Sequence, residues 1–106
     1  MIDARTIQRA VDVLLESAPH GSEVILFGSY ARGDAVSQSD VDFLVIEPQL
    51  PDRRTETVRL RSALRPLRLP VDVLVVSRQA FLAWKDVPNN VIHEAAREGR
   101  SYARAA

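Results

Sequence analysis

Three aspartates stand where the surrounding sequence is otherwise apolar. Asp40 and Asp42 flank Val41 at the start of Val41-Asp42-Phe43-Leu44-Val45-Ile46, and Asp72 lies within Val71-Asp72-Val73-Leu74-Val75-Val76. Residues two apart in an extended chain leave the same face, so the Asp40 and Asp42 side chains emerge together roughly 7 Å apart, with Val41 and Phe43 opposite. Like charges at that spacing repel and resist desolvation. A cation between them removes the conflict. Hard carboxylate oxygens suit Mg²⁺, which takes one or two protein carboxylates and completes its octahedron with water and substrate phosphate. A neighbouring strand that brings Asp72 to the same place makes a set able to hold two ions for in-line phosphoryl or nucleotidyl transfer. Taken singly, each aspartate has a plainer reading: Asp40 as a turn residue after Ser39, Asp42 as an edge charge, Asp72 as a cap after Pro70.

A second constellation, Gly28-Ser29-Tyr30-Ala31-Arg32-Gly33-Asp34, directly follows the apolar run Val24 to Phe27. Gly28 and Gly33 have P-loop spacing, but Asp34 and Ala35 stand where that motif needs Lys and Ser or Thr, which excludes a Walker-type NTPase. The three-glycine dinucleotide pattern fails too, and so does the hydrolase elbow around Ser29. What remains is a Gly-Ser turn at a strand end. Its amides and hydroxyl can hold a phosphate, with Arg32 as counter-charge or as a brace for the loop.

The elements that must position these residues follow from periodicity. Residues 3 to 17 place Ile7, Ala10, Val11, Leu14 and Leu15 on one helical face, ended by Pro19-His20-Gly21. Glu23 to Phe27 reads as a strand buried on both faces, 28 to 39 as a long loop with one helical turn at Tyr30 to Arg32, and Val41 to Ile46 as a second strand. Asp52 caps a helix through about Arg65, Val71 to Val76 is a third strand, and Ser77 caps a short helix through Trp84. Asn89 begins a last helix that Gly99 ends. The order α-β-loop-β-α-β-α-α predicts an α/β or α+β fold, a small sheet covered by helices.

The 106 residues make one domain, 46% hydrophobic and 26% charged, large enough for a single core. With no cysteine, thiol nucleophiles, thiolate metal sites and disulfides are excluded; with no apolar run near the roughly 20 residues of a membrane span, the chain reads as cytoplasmic. Net charge is zero, yet residues 1 to 50 carry eight acidic and three basic side chains and residues 51 to 106 carry six and eleven. The positive excess lies mostly in Arg53, Arg54, Arg59, Arg61, Arg65 and Arg68, opposed there by Glu56. It reads as a solvated helix face or as a surface for phosphate or an acidic partner. Zero net charge and a pI near 6.7 disfavour direct nucleic-acid binding. His20 and His93 lack HExxH spacing, which argues against zinc. Phe81 and Trp84, three apart, read as packing or as a partner-binding patch.

Gly28-Ser29, ten residues, then Asp40-Val41-Asp42, with Asp72 on a later Val-Asp-Val strand, resembles the nucleotidyltransferase superfamily of the DNA polymerase β type, and its minimal nucleotidyltransferase (MNT) branch in particular. The resemblance spans nearly the whole chain, 1–106, as one nucleotidyltransferase domain. It implies a small mixed sheet flanked by helices, with Asp40, Asp42 and Asp72 binding two Mg²⁺ ions and Asp72 also acting as base. It further implies that Gly28, Ser29 and, more weakly, Arg32 hold the triphosphate of ATP. MNT proteins often serve as antitoxins of HEPN-type toxins, and some transfer AMP to a tyrosine of that toxin, so the resemblance implies a hetero-oligomer with a HEPN partner. Two other occupations are compatible with the residues: a binding module without catalysis, and transfer to a small-molecule or RNA hydroxyl.

Overall fold

The computed structural model describes residues 1–104. The elements are α1 (Ala4–Ser17), β1 (Glu23–Phe27), α2 (Ser29–Arg32), β2 (Val41–Glu47), α3 (Arg53–Leu64), a 3₁₀ turn (Arg65–Leu67), β3 (Val71–Ser77), α4 (Arg78–Trp84), α5 (Val91–Glu98) and β4 (Arg100–Ala103). The four strands form one mixed sheet in the order β3-β2-β1-β4. β2 runs parallel to β3, while β1 is antiparallel to both β2 and β4.

Capping chemistry sets the helix starts. The side chains of Asp3, Asp52, Ser77 and Asn90 each accept the backbone N–H of the residue three further on. Such a bond satisfies one of the amides that a helix's first turn leaves unpaired. The last helix is therefore capped by Asn90, one residue later than the sequence reading places it, with Asn89 in the left-handed region at φ 69°. The helical turn read into the loop at Tyr30 to Arg32 is present as a four-residue helix that starts one residue earlier, at Ser29.

Alternation along the strands divides the core between two faces. Val24, Leu26, Val41, Phe43, Val45, Val73 and Val75 pack with Ile7, Val11 and Leu14 of α1 and with Leu60 and Leu64 of α3. Ile25, Phe27, Leu44, Ile46 and Val76 pack on the other face with Ala95 of α5 and, from α4, half-buried Phe81. Each fully buried Leu, Ile or Phe contributes roughly 1.5–3 kcal/mol. Phe81 and Trp84 thus part company, Trp84 being half exposed. No helix among the described residues is long and apolar enough to cross a membrane.

β4 was not foreseen in the sequence. Arg100 to Ala103 has too few apolar residues to read as a strand, yet it pairs with four of the five residues of β1, from Glu23↔Ala103 to Leu26↔Arg100. Gly99 permits this turn from α5 into the sheet, since a Cβ there would strike Ile25 and the carbonyls of Ala95 and Leu26.

The far end of β2 holds a buried acid. Glu47 is only 2% exposed, and its Oε2 has no hydrogen-bond partner. Burial, then its hydrogen bond with Glu56 and that residue's charge, push the Glu47 carboxyl up to about 8. Glu56 is held down to about 2, chiefly by Arg59, whose Nε and Nη2 donate to it at 2.8 and 2.7 Å. Arg59 Nη2 also donates to the Ser17 carbonyl at 2.7 Å, tying α3 to the end of α1. For Glu47 the folded state keeps a proton that the unfolded chain releases above its ordinary value of 4.5. Its contribution to stability therefore falls as pH rises from about 4.5 to about 8. Glu47→Gln is expected to leave stability at pH 4.5 nearly unchanged and to raise Tm near pH 8 by about 5 °C. Thermal melts of both proteins across that range check this, and parallel pH profiles would refute it.

Candidate active site

The three aspartates meet at one end of the sheet. Parallel pairing sets Asp42 of β2 directly opposite Asp72 of β3, in register. Neighbouring strands lie about 4.8 Å apart, and opposed residues of a parallel pair share a face, so the two side chains stand side by side. That face is the one that buries Leu44, Ile46 and Val76 against α5. Asp40 stands exposed just before the strand, Asp72 is exposed, and Asp42 is half-buried. Burial, then the charges of Asp72, Asp40 and Glu94, lift the Asp42 carboxyl above its ordinary value, while Arg32 pulls it the other way.

Gly28 ends β1 at the same place. Its φ of 76° lies in the left-handed region, and a Cβ there would run into Asp42 Oδ2. Only glycine gives both the backbone angle and the room for that carboxylate. The following turn is closed by the Gly28 carbonyl, which accepts the amides of Ala31 and Arg32 at 3.0 Å, and by the Ser29 carbonyl, which accepts those of Gly33 and Asp34 at 2.9 and 3.1 Å. Ser29 is half-buried at the head of α2.

The sequence reading missed Glu98. Its Oε1 accepts the Gly28 N–H at 3.2 Å and Arg32 Nη1 at 3.1 Å. Arg32 is further paired with Asp34 at 3.2 Å and Glu94 at 3.6 Å, and the Asp34 hydrogen bond, ahead of Glu98, holds its proton more firmly than usual. The last turn of α5 therefore locks the Gly-Ser turn and orients Arg32, the bracing role that the sequence left open for this arginine. Seventy residues separate Gly28 from Glu98, and no local spacing signals the contact. His93 of that helix is bonded through Nδ1 to the Lys85 carbonyl at 2.8 Å.

The donor set fits Mg²⁺. Among the described residues no three His, Asp or Glu side chains converge closely enough to enclose an ion by themselves. Mg²⁺ does not require that, since one or two carboxylates with water and phosphate complete its shell. Asp42 and Asp72 form such a pair, with Asp40 beside them, and the mutual repulsion that lifts Asp42 is the conflict a cation relieves.

The likenesses to known proteins agree with this geometry. The chain matches the family described as "Nucleotidyltransferase domain" over residues 7–97. Two proteins of Methanocaldococcus jannaschii that carry the name "Putative protein adenylyltransferase" are similar to it. One is 67% identical over 33 residues, 31% of this chain and 22% of that protein. The other is 42% identical over 52 residues, 49% of this chain and 52% of that protein. The chain thus matches about half, or less, of the length of these relatives. A solved nucleotidyltransferase-like structure from Sulfolobus solfataricus superposes with a TM-score of 0.59 at 26% identity, covering 77% of this chain and 73% of that one. A toxin-antitoxin structure with AMP-PNP superposes with a TM-score of 0.63 at 16% identity, covering 97% of this chain and 75% of that one, a likeness of fold. The match over residues 7–97 includes Asp40, Asp42 and Asp72 and the whole Gly-Ser turn, and the chain belongs to the nucleotidyltransferase domain family.

Proposed function

We propose that this chain transfers AMP from ATP to a hydroxyl of a partner protein, a tyrosine of a HEPN-type toxin, and thereby acts as that toxin's antitoxin in the cytoplasm. The observation that carries the reading is the in-register pair Asp42 and Asp72 beside the Gly28-Ser29 turn. The names of the similar archaeal proteins support protein adenylylation, and the toxin-antitoxin neighbour with its ATP analogue supports the partner and the nucleotide.

Each residue has a task. Asp40, Asp42 and Asp72 would hold Mg²⁺, which supplies charge neutralisation at the α-phosphate and at departing pyrophosphate. Gly28 and Ser29 receive the triphosphate at the end of β1, and Arg32, fixed by Glu98, offsets its charge. Asp72, the more exposed of the facing pair, takes the proton from the acceptor hydroxyl. The acceptor oxygen bonds to the α-phosphorus as the α–β phosphoanhydride bond breaks, and pyrophosphate leaves.

Asp42→Asn and Asp72→Asn are each expected to lower AMP transfer by at least about a hundredfold. Intact-mass measurement of the partner after incubation with ATP and Mg²⁺ reads this directly. Transfer by both variants at the wild-type rate would sink the assignment; tight partner binding with no mass gain from any form would favour the non-catalytic module. Glu98 is hydrogen-bonded to the turn and to Arg32, so it is a positioning residue. Glu98→Ala should raise KM for ATP about fivefold with a smaller change in kcat, and Glu98→Gln should recover part of the loss. An unchanged KM in both variants would remove Glu98 from the site.

A further inference from the structure

The chemistry proposed above leaves the arginines of α3 without a task. Arg54, Val58, Arg61 and Arg65 follow one another at spacings of four, three and four, so they share one stripe of the helix. Arg68 continues the basic run just beyond the 3₁₀ turn. All five side chains are exposed, Val58 at 60%. Of the arginines on α3 only Arg59 has an acidic partner, Glu56; among the described residues no carboxylate lies within ion-pair distance of Arg54, Arg61, Arg65 or Arg68. Arg61 above Arg65 is a like-charge pair at i, i+4, which opposes the helix that carries it.

This stripe leads into the active site. Two hollows share Arg61 and Arg65: one follows the outer face of α3 past Arg54 and Val58, and the other, of about 600 Å³, continues past Arg68 and Pro70 to Asp40 and Asp72. An unneutralised basic stripe and the site's carboxylates thus lie along one groove. It opens on the α3 side, whereas Arg32 and Glu98 hold the Gly-Ser turn on the α5 side.

We infer that the groove binds an acidic, extended segment of the protein that supplies the acceptor hydroxyl, with carboxylates on Arg54, Arg61 and Arg65 and the hydroxyl delivered to Asp72. The inference rests on the transferase reading and names the acceptor's chemistry. Arg54 and Arg65 are eleven residues apart on a helix and its continuation, roughly 16 Å, which an extended segment of about five residues spans. The groove favours a peptide over a nucleic acid on two grounds. No aromatic side chain lines either hollow, so bases have nothing to stack on. Asp40 and Asp72 close the far end, where a uniformly charged phosphate backbone is repelled and a neutral hydroxyl is not. Val58, Leu64 and Leu69 add apolar contacts along the way.

The test uses the full chain and two fluorescent probes: a peptide of glutamates and alanines around one tyrosine, and a single-stranded RNA oligonucleotide of equal charge. Wild-type protein should bind the peptide more tightly than the RNA, with an affinity that falls as salt is raised. The doubly reversed variant Arg61→Glu, Arg65→Glu should bind the peptide at least about tenfold more weakly, while Arg5→Glu, Arg9→Glu on α1 binds it like wild type and all bind ATP equally. Arg61→Gln, Arg65→Gln, milder for the helix, should show a smaller loss, with circular dichroism reporting that each variant is folded. Equal peptide binding by the reversed variant, no peptide binding by wild type, or tighter RNA binding would overturn the proposal. A matching loss of ATP binding would assign the groove to the triphosphate and overturn it as well. AMP transfer to the peptide's tyrosine is read separately by mass. A bound but unlabelled peptide refutes the transferase reading and leaves the groove standing; labelling that ignores Arg61 and Arg65 does the reverse.

Discussion

The parallel register of β2 and β3 places Asp42 and Asp72 opposite each other, and much of the molecule can be understood as the means of holding two like charges there. Parallel strands cannot be joined by a tight turn, so the chain crosses over through α3 and the 3₁₀ turn before β3 begins. Six further in-register pairs, from Val41↔Val71 to Glu47↔Ser77, lock the alignment, and the apolar pairs among them set it by burial. A slip of one residue would turn each buried valine or leucine to the wrong face. The carboxylates are therefore held together by packing energy spent elsewhere on the same two strands.

Around that pair the structure divides its labour by side. Glu98 at the end of α5 holds the Gly28 amide and the Arg32 guanidinium through one oxygen, and Gly99 then turns the chain into β4 beside β1. The Gly-Ser turn is thus braced by the C-terminal segment of the described chain. On the α3 side Arg54, Arg61 and Arg65 have no carboxylate within ion-pair distance among the described residues, which is the physical distinction between a residue that shapes a site and one available to a partner.

β2 carries an acid at each end, and the two are treated differently. Asp42 is half-buried among other acids and partly offset by Arg32, an arrangement suited to a cation. Glu47 is buried beside Glu56 with one oxygen unpaired, and it answers by keeping its proton. The first conflict serves chemistry. The second couples α3 and the end of α1 to the sheet through Arg59 and makes stability depend on pH.

The local signals were legible in the sequence. Helical spacing of Ile7, Val11 and Leu14, the capping side chains of Asp52 and Ser77, and the apolar runs of β1, β2 and β3 each depend on neighbours a few residues away. The residues of the candidate site stood out as charges and glycines that the apolar pattern did not need. The charge excess around α3 was countable too, but only the fold separated Arg59, paired with Glu56, from Arg54, Arg61 and Arg65, which have no acidic partner among the described residues. β4, the strand order, the Asp42–Asp72 register, the burial of Glu47 and the grip of Glu98 on Gly28 were decided by tertiary structure alone. Each joins residues distant in the chain, where pairing geometry and desolvation act, and neither leaves a trace in local spacing.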